Sequence, residues 1–251
     1  FIYMGFMISE SGIANDLYKM FHVLFGGLKG GLAIGTMFMM VAISAMNGLS
    51  VAGMAIGATI ALPEMLKRNY DKRMITGVVQ AGSSLGILIP PSVVMVLYGM
   101  IARQPVSKLW MAGILPGLLM ASLFLIYIYL RCKLQPELGP PLKKEEREVS
   151  TLEKIRLLKA GIIPFLIFFF MTGLFLMGIA SLVECSAVGA FLATLAAIYK
   201  RRFNKQVLEN TLKKTLGVSC MFMWIILAAL TFGAVFDGLG AGRAIETLFI
   251  E

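Results

Sequence analysis

Two consecutive prolines, Pro90 and Pro91, fall in the middle of the apolar stretch Met74 to Ala102, within "GSSLGILIPPSVV". A proline has no N–H, so it leaves the carbonyl four residues earlier without its helical partner. Pro90 thereby frees the carbonyl of Gly86, and Pro91 that of Ile87. Ile89 and Pro90, each followed by a proline, are also pushed away from helical angles. In hydrocarbon, groups left this way are so costly that irregular backbone survives only where protein covers it or where it lines a cavity. The stretch is read as a discontinuous helix whose break is covered or occupied.

Composition decides that the surroundings are hydrocarbon: 58% of the 251 residues are hydrophobic, 15% are charged, and the mean hydropathy is +0.83. Soluble domains do not reach this balance. A membrane-spanning helix needs about 20 apolar residues. Leu109 to Leu130, Ala160 to Ile179 and Leu212 to Phe236 meet that need, and a helix starting near Ser181 and running to Tyr199 makes a fourth span. Leu32 to Met46 and Val51 to Leu62 are each too short to cross, and only "NGLS" parts them. They are read as one re-entrant hairpin over 31–62. Ile13 to Leu28 places Asn15, Lys19 and His22 on one face and Ile13, Leu17, Phe21 and Leu24 on the other, the pattern of an interfacial amphipathic helix. The expected class is all-α, a polytopic membrane protein with a re-entrant helical hairpin and a discontinuous transmembrane helix.

Lys and Arg gather on the cytoplasmic side of membrane proteins. With the hairpin open to the cytoplasm, the connections Lys19–Lys29, Lys67–Arg73, Arg131–Lys159 and Lys200–Lys214 together hold 20 of the 23 basic residues. The outer connections, around Arg103–Lys108 and Arg243, hold the other 3. Reading Leu32 to Leu62 as a single span would put Lys29 and Lys67 on opposite sides and spoil this bias. The net charge of +9 is accordingly a topology signal and calls for no nucleic-acid partner. Cys132, Cys185 and Cys220 have no CxxC or His spacing, and His22 alone builds no metal site. No cofactor and no catalytic Ser/His/Asp or carboxylate set is implied, so an enzyme is disfavoured.

The candidate site combines two polar breaks. The hairpin tip, "AMNGLSVAG", offers Asn47, the flexible Gly48 and the hydroxyl of Ser50. The proline break offers Ser83, Ser84 and Ser92 and the carbonyls of Gly86, Ile87, Ile89 and Pro90. Carbonyls at the end of a half helix suit Na+, and half-helix N-termini attract anionic groups. Either break alone is equally well a packing kink or a simple loop. Paired in one chain, they point to a secondary transporter's binding site.

The stretches "SGIANDLYKMF", "GGLAIG", "NGLSVAGMAIGATIALPEMLKRNYD", "GSSLGILIPPS", "KLWMAGILPGLL" and "ECSAVGAFLATLAAIYKRR" follow one another along essentially the whole chain. In that order they resemble the large membrane subunit of tripartite ATP-independent periplasmic (TRAP) transporters, the DctM-like family. The resemblance implies a multi-pass protein of the bacterial inner membrane that imports a small organic acid, C4-dicarboxylate-like, by an elevator movement. It also implies Na+ as coupling ion, a small TRAP membrane subunit as partner, and a periplasmic substrate-binding protein that delivers the substrate. The family's hairpin tip is usually S-G-S-S. Here it reads Asn47, Gly48, Leu49, Ser50, so an oxygen ligand stands at the first position and a hydroxyl at the last, while Leu49 loses one. The family's broken helix is matched at Gly86, Leu88, Ile89, Pro90 and Pro91, and carbonyls around Gly86 to Pro90 are expected to face the tip. The family's A-T-P-T-E-A-A-A-V-G reads here "ASLVECSAVG", without the proline or the threonines. Ser181 and Glu184 have the spacing of a capping box, which accounts for the acid without an ion or proton site.

A weak internal repeat aligns "GFMISESGIANDLYKMF" with "GAVFDGLGAGRAIETLF", pairing Gly5 with Gly233 and Gly12 with Gly240. Inverted repeats are common in such transporters. The chain is therefore read as about one repeat period of an elevator-type carrier, a fragment that lacks the second hairpin and opens without a signal peptide. The expected organisation is a first-half transport region 1–130, a cytoplasmic linker 131–159, and the start of a second half at 160–251 with helices at 160–179, 181–199 and 212–236 and then an interfacial helix. Two other readings stay open at this point: a sodium-coupled organic-anion carrier working without a binding protein, and a non-transporting membrane scaffold.

Overall fold

The computed structural model describes residues 1–48, 50–141, 151–242 and 247, and every regular element among them is a helix. In order these are α1 (Ile2–Glu10), α2 (Ile13–Phe25), α3 (Gly31–Asn47), α4 (Ser50–Ile56), a π-turn (Gly57–Ala61), α5 (Leu62–Lys67), α6 (Lys72–Leu88), α7 (Val93–Ile101), α8 (Val106–Leu134), a 3-10 turn (Pro136–Leu138), α9 (Thr151–Leu176), α10 (Leu182–Tyr199) and α11 (Lys205–Gly238). The chain divides into two compact units, Phe1–Thr211 and Leu212–Glu251. The second consists of the rest of α11, whose apolar side chains such as Trp224 and Phe232 are exposed, followed by Gly240 at φ +68°. Among the described residues three helices, α8, α10 and α11, are long and apolar enough to cross a membrane, and the pair α6–α7, bent by 43°, makes a fourth when counted as one span. The protein is an all-helical, polytopic membrane chain.

The first unit is organised from a floor where several connections meet. The Gly30 N–H donates to the Gly139 carbonyl at 2.8 Å, and the Asp71 N–H donates to the Leu138 carbonyl at 3.2 Å. The Leu32 N–H donates to the Tyr70 hydroxyl at 3.2 Å. Burial holds the Tyr70 phenol above its ordinary range, so it stays neutral while it accepts that bond. Nearby, Asp16 takes Lys200 Nζ at 2.7 Å and both Nη atoms of Arg202 at 3.0 and 3.2 Å. These contacts join the connections around Lys29, Asp71 and Gly139, and tie Lys200 and Arg202 to the start of α2. Where α5 ends on the same floor, burial raises the Glu64 carboxyl, but the hydrogen bond and charge of Arg68, with Lys67 and His22 nearby, prevail and hold it below the usual carboxylate range.

From this floor α3 and α6 rise side by side. Each has 17 residues, or about 25 Å at 1.5 Å per residue, so both end at the same depth, short of a full crossing. A helical glycine lets them approach closely, since a Cβ on Gly82 would lie 2.6 Å from Met40 Cβ; Gly57 of the π-turn does the same for the return limb, where a Cβ would lie 2.9 Å from Val79. Leu32, Met37, Met40 and Ile43 of α3 are fully buried in this seam. In lipid such helices are held by close packing of small and adaptable side chains, since expelling water contributes little. A second cluster ties α1 to α9 and α10 through Met4, Met7, Ile167, Met171 and Cys185.

Several bounds differ from the sequence reading. The amphipathic helix stops at Phe25, because Gly26 and Gly27 follow; of its apolar face Ile13, Leu17 and Phe21 are buried in protein and Leu24 is exposed. Helix α8 extends at both ends beyond 109–130, taking in Arg131 and Lys133, whose long stems carry their charges outward from the apolar segment. The linker's last nine residues, from Thr151, already belong to α9, while 142–150 lie outside the described residues. The described apolar part of α9 is Gly161–Leu176. The interfacial helix expected near the end falls on residues that, apart from 241, 242 and Thr247, also lie outside the described ones.

The hairpin's return limb holds a π-turn that sequence periodicity does not reveal. Pro63 has no N–H to give to the carbonyl four residues before it, and the Leu62 N–H reaches back five residues to the Gly57 carbonyl. At the start of α10 both halves of the capping box are present: the Ser181 N–H donates to Glu184 Oε2 at 2.7 Å, and the Glu184 N–H donates to Ser181 Oγ at 3.3 Å.

Candidate functional site

Equal helix lengths from a common floor bring the two breaks together. Gly48, at φ +64°, parts α3 from α4 and accepts a hydrogen bond from the Val93 N–H at 3.0 Å. Val93 opens α7, so its N–H has no partner within that helix. The hairpin tip supplies the acceptor. Contact is so close that a Cβ on Gly48 would run into the Pro91 carbonyl, and Gly48 combines the left-handed angle with the missing side chain that this approach requires.

The break itself runs from Ile89 to Ser92 and contains a cis Pro90–Pro91 peptide. The Ile89 N–H closes the last turn of α6 on the Leu85 carbonyl at 2.8 Å. The fully buried Ser92 caps α7, its hydroxyl accepting from the Met95 N–H at 3.3 Å. The Ser92 carbonyl accepts from Trp110 Nε1 at 3.3 Å. Trp110 is 1% exposed and packs between Phe1 and Phe175, with ring centroids 5.8 and 4.7 Å away. One and two helical turns further along α8, Gly113 and Gly117 seat that helix on the break: a Cβ on Gly113 would meet the Leu88 carbonyl, and one on Gly117 would lie 2.8 Å from Ile89.

The predicted site residues are distributed as follows. Ser83, Gly86, Ile89, Pro90 and Pro91 are buried, Ser84 and Ser50 are half-buried, and Ile87 is exposed. Ser83 Oγ donates to the Gln80 carbonyl and Ser84 Oγ to the Ala81 carbonyl, both at 2.8 Å, which leaves their oxygen lone pairs as acceptors. The break carbonyl lying against the tip is that of Pro91, one residue beyond the stretch 86–90, and the Leu88 carbonyl lies against α8. Leu49 and the side chain of Asn47 are outside the described residues. On the side facing α9, Ile89 and Pro90 border a cavity of about 660 Å³ whose lining, Phe168, Phe165 and Met46 among it, is apolar but for Thr172. A charged ligand gains little there, so polar chemistry belongs on the tip side.

The end of α3, the Pro90–Pro91 break and the start of α7 therefore meet at Gly48. The C-termini of α3 and α6 leave carbonyls without helical partners, and the N-terminus of α7 carries the positive end of a helix dipole, its Val93 and Met95 N–H groups already bonded to Gly48 and Ser92. Carbonyls stabilise a cation and helix N-termini an anion, so one junction can hold both. Sequence reasoning did not find Trp110, Gly113 or Gly117. The glycine spacing in "AGILPG", continued by the buried Ala121, was the available signal, a small-xxx-small stripe for close helix approach. It also missed Asp16, which joins α2 to Lys200 and Arg202; a polar cavity of about 870 Å³ opens beside it, lined by Asn15, Lys19, His22, Thr59 and Glu64. Among the described residues no group of His, Cys, Asp or Glu is arranged to hold a metal ion.

Comparison with known proteins gives a match over residues 1–251 to the family described as Tripartite ATP-independent periplasmic transporter, DctM component. The C4-dicarboxylate TRAP transporter large permease protein of Pseudomonas aeruginosa is 28% identical over 236 residues, which cover 94% of this chain and 54% of that protein. Its counterpart from Rhodobacter capsulatus is 25% identical over 260 residues, covering 98% and 58%. The sialic acid TRAP transporter large permease protein of Vibrio cholerae is 23% identical over 234 residues, covering 93% and 53%. The chain thus spans about half the length of these curated relatives.

Proposed function

The chain belongs to the DctM component family of tripartite ATP-independent periplasmic transporters, a family of permease subunits and not of enzymes, and from that membership we propose that it forms the hairpin-and-break half of a sodium-coupled importer of small organic acids. The contact between the Val93 N–H and the Gly48 carbonyl carries this reading, because it joins the two backbone breaks at one depth. Na+ is held by carbonyl and hydroxyl oxygens at the ends of α3 and α6, with Asn47, Ser50, Ser83 and Ser84 contributing. The anionic substrate faces the N-termini of α4 and α7. In the bacterial inner membrane the site travels by an elevator movement, a small membrane subunit completes the permease, and a periplasmic binding protein delivers the substrate. The relatives named for C4-dicarboxylates and for sialic acid support an organic acid as cargo and leave its skeleton to the binding protein and to contacts beyond this half.

Uptake into proteoliposomes containing the full-length reading frame and its small partner tests this reading, with an inward Na+ gradient and with or without the binding protein. Uptake that requires both is expected. Uptake on sodium alone removes the binding protein from the scheme, and uptake indifferent to sodium removes the ion site. Pro90→Ala/Pro91→Ala restores two helical N–H donors and is expected to abolish sodium dependence; wild-type behaviour in that variant reduces the break to a packing kink.

A further inference from the structure

Below the break, on the floor side, α6 and α8 enclose a cleft of about 650 Å³ that the proposed transport site leaves unused. Arg73, in the first turn of α6, and Arg131, in the last turn of α8, stand at its mouth. Both are exposed, and neither guanidinium is in an ion pair among the described residues. One carboxylate, Asp71, also borders the mouth, but it is committed to capping α6, its Oδ1 accepting the N–H groups of Arg73 and Met74 at 3.0 Å. The mouth therefore keeps a positive excess.

Past the arginines the walls turn apolar. Met74 and Ala81 line the α6 side, Phe124 the α8 side, and Gly77 leaves a gap between them, since a Cβ there would meet nothing within 4 Å. Tyr127, one turn inward from Arg131 and 61% exposed, places an amphipathic ring at the boundary, the usual position of tyrosine at a membrane interface. A soluble anion would satisfy the arginines and leave the groove empty. A zwitterionic lipid would fill the groove and place its cationic group among the arginines. Basic pockets between transmembrane helices on the cytoplasmic side are suited to anionic headgroups, and guanidinium forks match phosphate oxygens.

We propose that this cleft binds one anionic phospholipid, its phosphate diester between Arg73 and Arg131 and an acyl chain along Met74, Gly77 and Phe124. The site is independent of the transport reading, because no group in it belongs to either backbone break.

Native mass spectrometry of the full-length reading frame with its small partner, purified in detergent, tests it, with phosphatidylglycerol and phosphatidylcholine of identical acyl chains offered together, and glycerol phosphate offered alone. Phosphatidylglycerol adducts are expected to dominate. Arg73→Gln/Arg131→Gln is expected to weaken them roughly thirtyfold, about fivefold for each basic residue at the surface, leaving phosphatidylcholine unaffected. Gly77→Leu, which fills the groove and keeps both arginines, is expected to weaken phosphatidylglycerol while the melting temperature in lipid-free detergent holds. Equal retention of the two lipids overturns the proposal, as does a phosphatidylglycerol preference that survives the double substitution. Glycerol phosphate binding as tightly as the lipid would make this a site for a soluble anion, and an arginine-dependent doubling of mass would seat a second copy there; either overturns it. Where the double variant fails to fold, Gly77→Leu decides alone, and unchanged phosphatidylglycerol occupancy in it counts against the cleft.

Discussion

Gly48 bears two constraints at once, a left-handed backbone and a neighbouring carbonyl, and a second glycine separates them. Gly240 has nearly the same angle, φ +68°, but a Cβ there would meet nothing within 4 Å. An L side chain in the left-handed region costs roughly 1–2 kcal/mol. Gly240→Ala should show that cost alone in thermal unfolding in detergent. Gly48→Ala should exceed it clearly and lose sodium-dependent uptake, because the Pro91 carbonyl is backbone and cannot swing aside. Equal losses at the two positions would mean that the tip does not press on the break. Asp16 answers a different question at the same scale. Its side chain is 16% exposed and that of Lys200 13%, so the pair is shielded from the solvent that makes surface ion pairs weak. Hydrogen bonds to charged groups contribute about 1.5–3 kcal/mol, so Asp16→Asn is expected to destabilise by about that much. Asp16→Asn/Lys200→Met should recover part of the loss, since it also removes the ammonium that Asp16 balances; a double variant that simply adds the two single losses would deny the coupling.

At the scale of elements, α8 is seated on the proline break. Gly117→Leu introduces a branched side chain where a Cβ alone would already lie 2.8 Å from Ile89. Overpacking of this kind costs typically 1–3 kcal/mol, and it should displace α8 from the break and depress uptake. Gly173→Leu is the matched control on α9, because a Cβ there meets nothing within 4 Å; if both variants behave alike, the α8 seam has no special role. The elements differ in how plainly the sequence announced them. The hairpin, the proline break and the capping box were legible because each depends on residues whose backbone chemistry is local: a missing N–H at Pro90 and Pro91, a flexible Gly48, and a serine three residues before Glu184. The boundaries of α8 were less so, because Arg131 and Lys133 look like the end of an apolar run yet still fit helical geometry. The π-turn at Gly57–Ala61 hung on one proline whose effect depends on the register around it. Trp110 on the Ser92 carbonyl and Asp16 on Lys200 were not legible, since each joins residues brought together only by the packing of other helices.

For the whole molecule, the charge count and the hydrogen-bonded floor are independent statements of the same topology. The first uses only where Lys and Arg fall in the sequence. The second uses the Gly30–Gly139 and Asp71–Leu138 hydrogen bonds and the Asp16–Lys200 ion pair, which involve no assumption about a membrane. Both gather the segments around Lys29, Lys67 and Arg131, the placement that a re-entrant hairpin requires. A single crossing over Leu32 to Leu62 would pull Gly30 and Asp71 to opposite faces and break both of their bonds to the Leu138–Gly139 turn. Single cysteines introduced at Lys29, Lys67 and Arg103, all exposed, into a chain with Cys132, Cys185 and Cys220 replaced by serine, separate the two cases. With a membrane-impermeant maleimide, the first two should react only in inside-out vesicles and the third only from the outer face of intact cells. Lys29→Cys and Lys67→Cys labelling from opposite sides would turn the hairpin into a span, reverse α6, and carry the tip of α3 away from the break, leaving the Gly48–Val93 contact without the common depth that produces it.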